Sequence, residues 1–159
     1  MAYLIDGNNF IGHTSPHELK DPHSKRELAA KLWIFQKIKK QKICLVFDGP
    51  PDPVIDAQEF PEKSMKVLFA HEDRSADSLI FDIITRRNNL KKFFVVSSDR
   101  EIRSFARNNG AGTLSCEAFN RELEVVLKKH KRHMEFEKKA TPPSPLEMEH
   151  LIELFTSKK

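Results

Sequence analysis

No apolar run in this chain approaches the roughly 20 residues that a membrane-spanning helix requires, which argues against a helical span. Cysteine is scarce: Cys44 and Cys116 are the only two, and each sits in or beside an apolar run. They make neither a disulfide framework nor a CxxC site, so the expectation is a pair of buried free thiols in a reducing cytoplasm. Glycine is limited to five residues and forms no Gly-rich P-loop. No cysteine, serine or histidine stands in a convincing nucleophile arrangement. His13 and His17 are four apart, as helical metal ligands would be, but Pro16 between them argues against a helix there. The chain opens directly on a strand-like run, so no signal peptide is expected.

What is present is an ordinary globular balance. The 159 residues are 39% hydrophobic and 31% charged, enough for one domain with a real core. The net charge of +4 is compatible with a polyanionic partner and does not by itself establish one.

Apolar runs and helical periodicities alternate along the chain. Strands are expected at Ala2 to Ile5, Ile43 to Phe47, Met65 to Phe69, Phe93 to Val96 and Gly112 to Ser115. Helices are expected from a Ser24–Glu27 capping box, after Ser75, over Arg100 to Arg107 and over Glu117 to Lys129. Residues 12–23 and 50–63, crowded with proline and short polar residues, read as loops. This alternation predicts an α/β fold, with helices on both faces of a mostly parallel sheet, over residues 1–129. Residues 130–145 turn to charge and proline and read as a linker. Residues 146–159 read as a short amphipathic helix whose Leu151, Leu154 and Phe155 are available to dock.

Three of the expected strands end in a carboxylate: Asp6, Asp48 and Asp99. Asp77 heads the helix after the third strand, where the helix dipole alone would account for it. The ends of parallel strands are where open α/β sheets bind ligands. Several acids gathered there repel one another, and a fold keeps such a cluster when a cation neutralises it. Oxygen donors without His or Cys point to a hard cation, Mg²⁺ or Mn²⁺, of the kind that serves phosphoryl chemistry.

The segments Asp6-Gly7-Asn8-Asn9, Val46-Phe47-Asp48-Gly49, Ser75-Ala76-Asp77-Ser78-Leu79-Ile80 and Ser97-Ser98-Asp99-Arg100-Glu101-Ile102 together resemble the NYN family of PIN-like nucleases, its YacP-like branch above all. The resemblance covers residues 1 to about 127 in order, and the C-terminal helix also looks like that branch. It implies a three-layer PIN-like fold with a five-stranded sheet of order 3-2-1-4-5. It also implies a metal-dependent endoribonuclease, associated in this branch with ribosomes and translated messenger RNA. By that resemblance Asp6, Asp77 and Asp99 bind the metal with Asp48 contributing. Asn9 matches the amide that arranges the site, and Ser98 a hydroxyl beside the last acid. The family often has Tyr after the glycine where this chain has Asn8, so no base-stacking role carries over to that position.

Arg86, Arg87, Lys91, Lys92, Arg100, Arg103 and Arg107 follow or flank the acidic segments and are placed to hold RNA phosphates. Lys128, Lys129, Lys131 and Arg132, interleaved with His130 and His133, form a denser run. That run reads either as a solvated helix end and linker or as a basic arm contacting RNA. Two other readings compete with the nuclease. One is a non-catalytic RNA- or ribosome-binding module on the same fold. The other is a phosphate-handling domain of another doubly wound fold. A haloacid-dehalogenase phosphatase needs a second Asp where Asn8 stands, and a response-regulator receiver wants Lys where Ser115-Cys116 stand.

Overall fold

The computed structural model describes residues 1–58, 60–61, 63–140 and 154. Five parallel strands form one sheet in the order β3-β2-β1-β4-β5: β1 (Ala2–Asp6), β2 (Lys42–Asp48), β3 (Met65–Ala70), β4 (Phe93–Val96) and β5 (Gly112–Leu114). All of β1 is buried, as an unbroken apolar run in a central parallel strand should be. Its side chains alternate between two cores. Tyr3 and Ile5 face α1 (Gly7–Thr14), α2 (Pro22–Lys39) and α6 (Cys116–Ala140), while Leu4 faces α4 (Ala76–Arg86) and α5 (Arg100–Asn108). In the first core the Phe119 ring lies 5.2 Å from Tyr3 and 5.3 Å from Phe35. In the second, Ile80, Ile84 and Ile102 close over Val46 and Val95.

The chain runs outward from β1 to β3, then returns to the other side of β1 to begin β4. The order therefore reverses between β1 and β4, where a crevice opens at the carboxyl ends of the strands. Register brings Ile5 beside Val96 and Asp6 beside Val46, so the residues that follow these strands emerge along one edge.

Four local expectations need correction. Residues 12–14, read as the start of a loop, belong to a helix, Gly7–Thr14, that starts directly behind Asp6. Phe10 and Ile11 are buried against the core, and that burial overrides the weak propensity of Gly-Asn-Asn. The helix ends before Pro16, and Pro16–Glu18 is a single 3₁₀ turn. The second helix starts at Pro22 rather than Ser24. Asp21 caps it by accepting from the His23 N–H, and Pro22 occupies the first turn, where a missing N–H costs nothing. Ser24 is turned inward, its hydroxyl within hydrogen-bond reach of the carbonyls of Glu18 and Asp21. The 50–63 segment contains one short helix, α3 (Pro53–Asp56), capped by Asp52.

Finally, α6 continues through Ala140, so residues 130–140 are helical rather than linker, and the boundary expected at residue 129 falls inside a helix. Lys, Arg, Glu and Met are good helix formers, and His133 pairs with Glu137 one turn on at 3.0 Å. The prolines that end such a run come only from Pro142 onward. Residues 141–145, and the C-terminal helix with Leu151 and Phe155, lie outside the described residues. Leu154 is described, and it packs with Trp33 and Phe60 against the first core.

Gly7 is required by space. A Cβ there would meet the Phe47 ring at 2.4 Å and the Val46 carbonyl at 2.9 Å. We expect Gly7→Ala to destabilise by roughly 1–3 kcal/mol, the usual cost of overpacking. At an open helical position the same change would stabilise by up to about 1 kcal/mol. The sign of the change in thermal denaturation midpoint therefore checks the close approach directly.

Candidate active site

Four acids stand at the strand ends, on β1, on β2, in α4 and at the start of α5. Asp6 ends β1 and is almost fully buried, only 4% exposed. Asp48 ends β2, where its Oδ1 accepts from the Ala76 N–H at 2.8 Å and so fixes the start of α4. Asp77 lies in the first turn of α4, and Asp99 caps α5 by accepting from the Ile102 N–H at 3.1 Å. Among the described residues no basic side chain forms an ion pair with any of these four acids. Asp52 and Asp82, elsewhere on the surface, do have such partners.

The electrostatics follow. Burial, then the charges of Asp77 and Asp48, push the Asp6 carboxyl up to about 7, against a smaller downward pull from the Asn9 amide and the Ser97 hydroxyl. Asp77 is also raised, first by partial burial and then by Asp99, Asp48 and Glu101. Asp77 thus feels Asp99 and Asp48, and Asp6 feels Asp77 and Asp48. The donors are all carboxylate oxygens, and the most buried one lacks a counter-charge. That donor set fits a hard divalent cation. Even so, among the described residues no three acids already stand as a closed metal cage.

Two amides and two hydroxyls tie the strand ends together. Asn8 Oδ1 accepts from the Asp48 N–H at 2.9 Å, joining α1 to the end of β2. Asn9 Oδ1 accepts from the Ser98 N–H at 2.8 Å, joining α1 to the end of β4. The Ser97 hydroxyl, fully buried, accepts from the Asp99 N–H at 3.2 Å and has two alternative acceptors for its one proton, Asn9 Oδ1 at 3.3 Å and Asp6 Oδ2 at 3.4 Å. Ser98, singled out from the sequence, instead accepts from the Cys116 N–H at 3.1 Å and donates to Glu117 Oε2 at 3.2 Å. Glu117 also meets His13 Nδ1 at 3.1 Å. Its own backbone amide, the Ser98 hydroxyl and His13 hold its carboxyl below the ordinary range.

Sequence reading missed Ser97, Glu101, Glu117 and the role of His13. Ser97 and Ser98 are adjacent in a loop without periodicity, so nothing marked which one turns inward. Glu117 looked like a routine acid in a helix's first turn.

The basic residues divide. Arg100 and Arg103 follow Asp99 on α5, beside the acids. Lys25 reaches the same edge, its Nζ donating to the Asp48 carbonyl at 2.9 Å. Arg86, Arg87, Lys91 and Lys92, expected to flank the acids, lie at the opposite edge of the sheet, between the end of α4 and the start of β4. The reason is topological: a helix that crosses from one parallel strand to the next carries its C-terminus back to where strands begin. Lys128, Lys129, Lys131 and Arg132 sit beyond the third turn of α6, upwards of about 16 Å from Glu117 by helical rise.

Because the folded state raises Asp6 above its unfolded value, it binds a proton there that the unfolded chain has lost. The cost is absent below about pH 4, grows as pH climbs towards 7 and is complete above it. We therefore expect Asp6→Asn, without divalent cation, to raise the melting temperature at pH 8 by several degrees, at roughly 2–4 °C per kcal/mol. The gain should shrink towards zero at pH 4. Thermal scans in chelator across that range check both the sign and the window.

Comparison with known proteins bears on this site. A search of curated proteins gives no significant match. Among solved structures, the crystal structure of Rae1 (YacP) from Bacillus subtilis is similar, with a TM-score of 0.76 and 21% identity over 96% of this chain and 90% of that one. A mutant form of the same protein gives 0.70 and 22%, over 94% and 89%. At that identity the likeness shows the fold alone. The sequence model of the YacP-like NYN domain matches residues 3–154, nearly the whole chain. The chain belongs to the YacP-like NYN family, and so to the nuclease-type domains with RNA-related function.

Proposed function

We propose that this protein is a metal-dependent endoribonuclease that hydrolyses RNA phosphodiester bonds at the Asp6 edge of the sheet. The observation that carries the reading is the buried Asp6 carboxyl, raised to about 7 beside Asp77 and Asp48, with no ion pair among the described residues. A fold does not retain such repulsion for stability, since replacing the buried acid would relieve it. Asp6, Asp48, Asp77 and Asp99 would hold Mg²⁺ or Mn²⁺. The bound ion would offset phosphate charge and make water a better nucleophile near neutral pH.

The protein's own contribution is placement. Ser97 orients Asp6 while fixing the Asp99 backbone, so the acids of β1 and α5 keep one relative position. Asn8 and Asn9 clamp the ends of β2 and β4 onto α1. Arg100 and Arg103, in the first turns of α5, would receive RNA phosphates near the cleaved bond. Ser98, bonded to Glu117, shapes the wall of the crevice between β4 and α6. Membership of the YacP-like branch extends the reading to messenger RNA on ribosomes, in the cytoplasm.

Two outcomes check this assignment. Asp6→Asn and Asp99→Asn should each lower cleavage of a labelled structured RNA in Mg²⁺ or Mn²⁺ by at least about 100-fold, since changes even to outer-shell partners of metal ligands cost 10–100-fold. Near-wild-type cleavage by either variant removes the catalytic reading and leaves an RNA-binding module. The basic run on α6 is a separate matter. Neutralising Lys128, Lys129, Lys131 and Arg132 should weaken RNA binding and lower the slope of log affinity against log salt by up to about 3, at roughly 0.7 per neutralised phosphate. An unchanged slope identifies the run as a solvated helix end.

A further inference from the structure

The edge where the strands begin carries a groove of about 500 Å³ that the cleft does not use. Its floor is apolar, with Leu68 of β3, Cys44 of β2, Ala2 of β1 and Phe93 of β4. Its rim is cationic: Lys42, Lys63, Lys66 and Arg87 line it, and among the described lining residues there is no acid. Cys44 of β2 pairs with Lys66 of β3, and Lys42 lies two residues before Cys44. All three therefore project from the same face of the sheet. Both lysines are exposed, and neither has an ion-pair partner among the described residues.

Edge strands often carry lysine to discourage pairing with another sheet, and that would account for Lys66 on β3. It does not account for Lys42, which stands on an inner strand, nor for Arg87. The Arg87 guanidinium lies 4.3 Å from the centre of the Phe93 ring and donates to the Asn89 carbonyl at 3.1 Å. It is held over the aromatic ring beside the groove. Lys66 and Arg87 both reach Cys44 electrostatically, pulling its thiol down against a larger upward push from burial. The cations and the apolar floor therefore belong to one site.

We propose that this groove is a second binding site for single-stranded RNA, holding the part of a substrate strand that runs away from the cleaved bond. The lysines take phosphates, and the restrained guanidinium offers a surface on which a base can stack. The position suits that use. Helix α4 begins at Ala76, bonded to Asp48 in the cleft, and its last turns supply Ile83 to the groove, with Arg87 just beyond. Cleft and groove are thus two ends of one 11-residue helix, about 16 Å apart by helical rise. The inference rests on the nuclease reading for its substrate class, though the groove itself is independent of the acids.

The test compares RNA lengths. In the Asp6→Asn background, Lys42→Gln with Lys66→Gln should weaken binding of a 20-nucleotide single-stranded RNA about 10-fold. The salt slope should fall by about 1.4, at roughly 0.7 for each phosphate that a lysine no longer neutralises. With Asp6 intact, the same pair should leave cleavage of an RNA of about three nucleotides unchanged, because that length does not span α4. Equal affinity and slope for the long RNA overturn the proposal. So does competition by polyglutamate as effective as that by RNA of equal charge, which would assign the groove to an acidic protein segment. If the wild-type protein cleaves no RNA yet the double substitution still weakens the long RNA, the nuclease reading fails and the groove stands.

Discussion

A buried carboxylate with no ion-pair partner among the described residues is the constraint on which this structure depends. Asp6 occupies the last position of the central strand, at the reversal between β1 and β4, where both neighbouring strands shield it from water. Desolvation alone would raise its proton affinity, and Asp77 and Asp48 add to that. Much of the local architecture reads as a means of holding the acids near one another against that repulsion. Asp48 is secured by the Ala76 N–H, and Asp99 by the start of α5. These bonds engage one oxygen of each carboxylate and fix where it stands.

The same logic explains why the first helix begins without a loop. Gly7 follows Asp6 directly because the chain must turn beneath the Phe47 ring, and the next two residues deliver their amides to β2 and β4. The helix is thus a brace across three strand ends. Its sequence is poor in helix formers, so the brace stands on tertiary contacts: Phe10 and Ile11 below it, and Phe119 of α6 6.0 Å from the Phe10 ring.

That dependence on tertiary contact separates what was legible in the sequence from what was not. The five strands were legible because each is a short apolar run cut off by polar or turn residues, and burial on both faces leaves few other residue types possible. Their order became an expectation only through the family resemblance, since periodicity says nothing about which strands are neighbours. The acids were legible as strand-end carboxylates. The α1 helix was not, because Asp-Gly-Asn-Asn is good turn chemistry until Phe10 has something to pack on. The inward turn of Ser97 rather than Ser98 was equally hidden, being set by a buried carboxylate and a backbone amide that no local pattern reveals. Arg86 and Arg87 were assigned to the acidic edge by proximity in sequence to Asp77. One helix length was enough to carry them to the other side of the sheet.

The separation of charge follows from that crossover. In a parallel sheet every connecting helix returns the chain from the strand ends to the strand starts, so residues early and late in α4 are sorted to opposite edges. Here Asp77 falls early and Arg86 late, and the helix dipole favours that order at both termini. In the proposed reading the negative edge would hold a cation, and the positive edge, with Lys42 and Lys66 beside Arg87, would hold the phosphates of a longer strand. A polyanion approaching the protein is repelled by the bare acids and attracted by the far edge. Under the proposed function, a cation held by these acids would offset that repulsion and let a strand lie across α4 towards them.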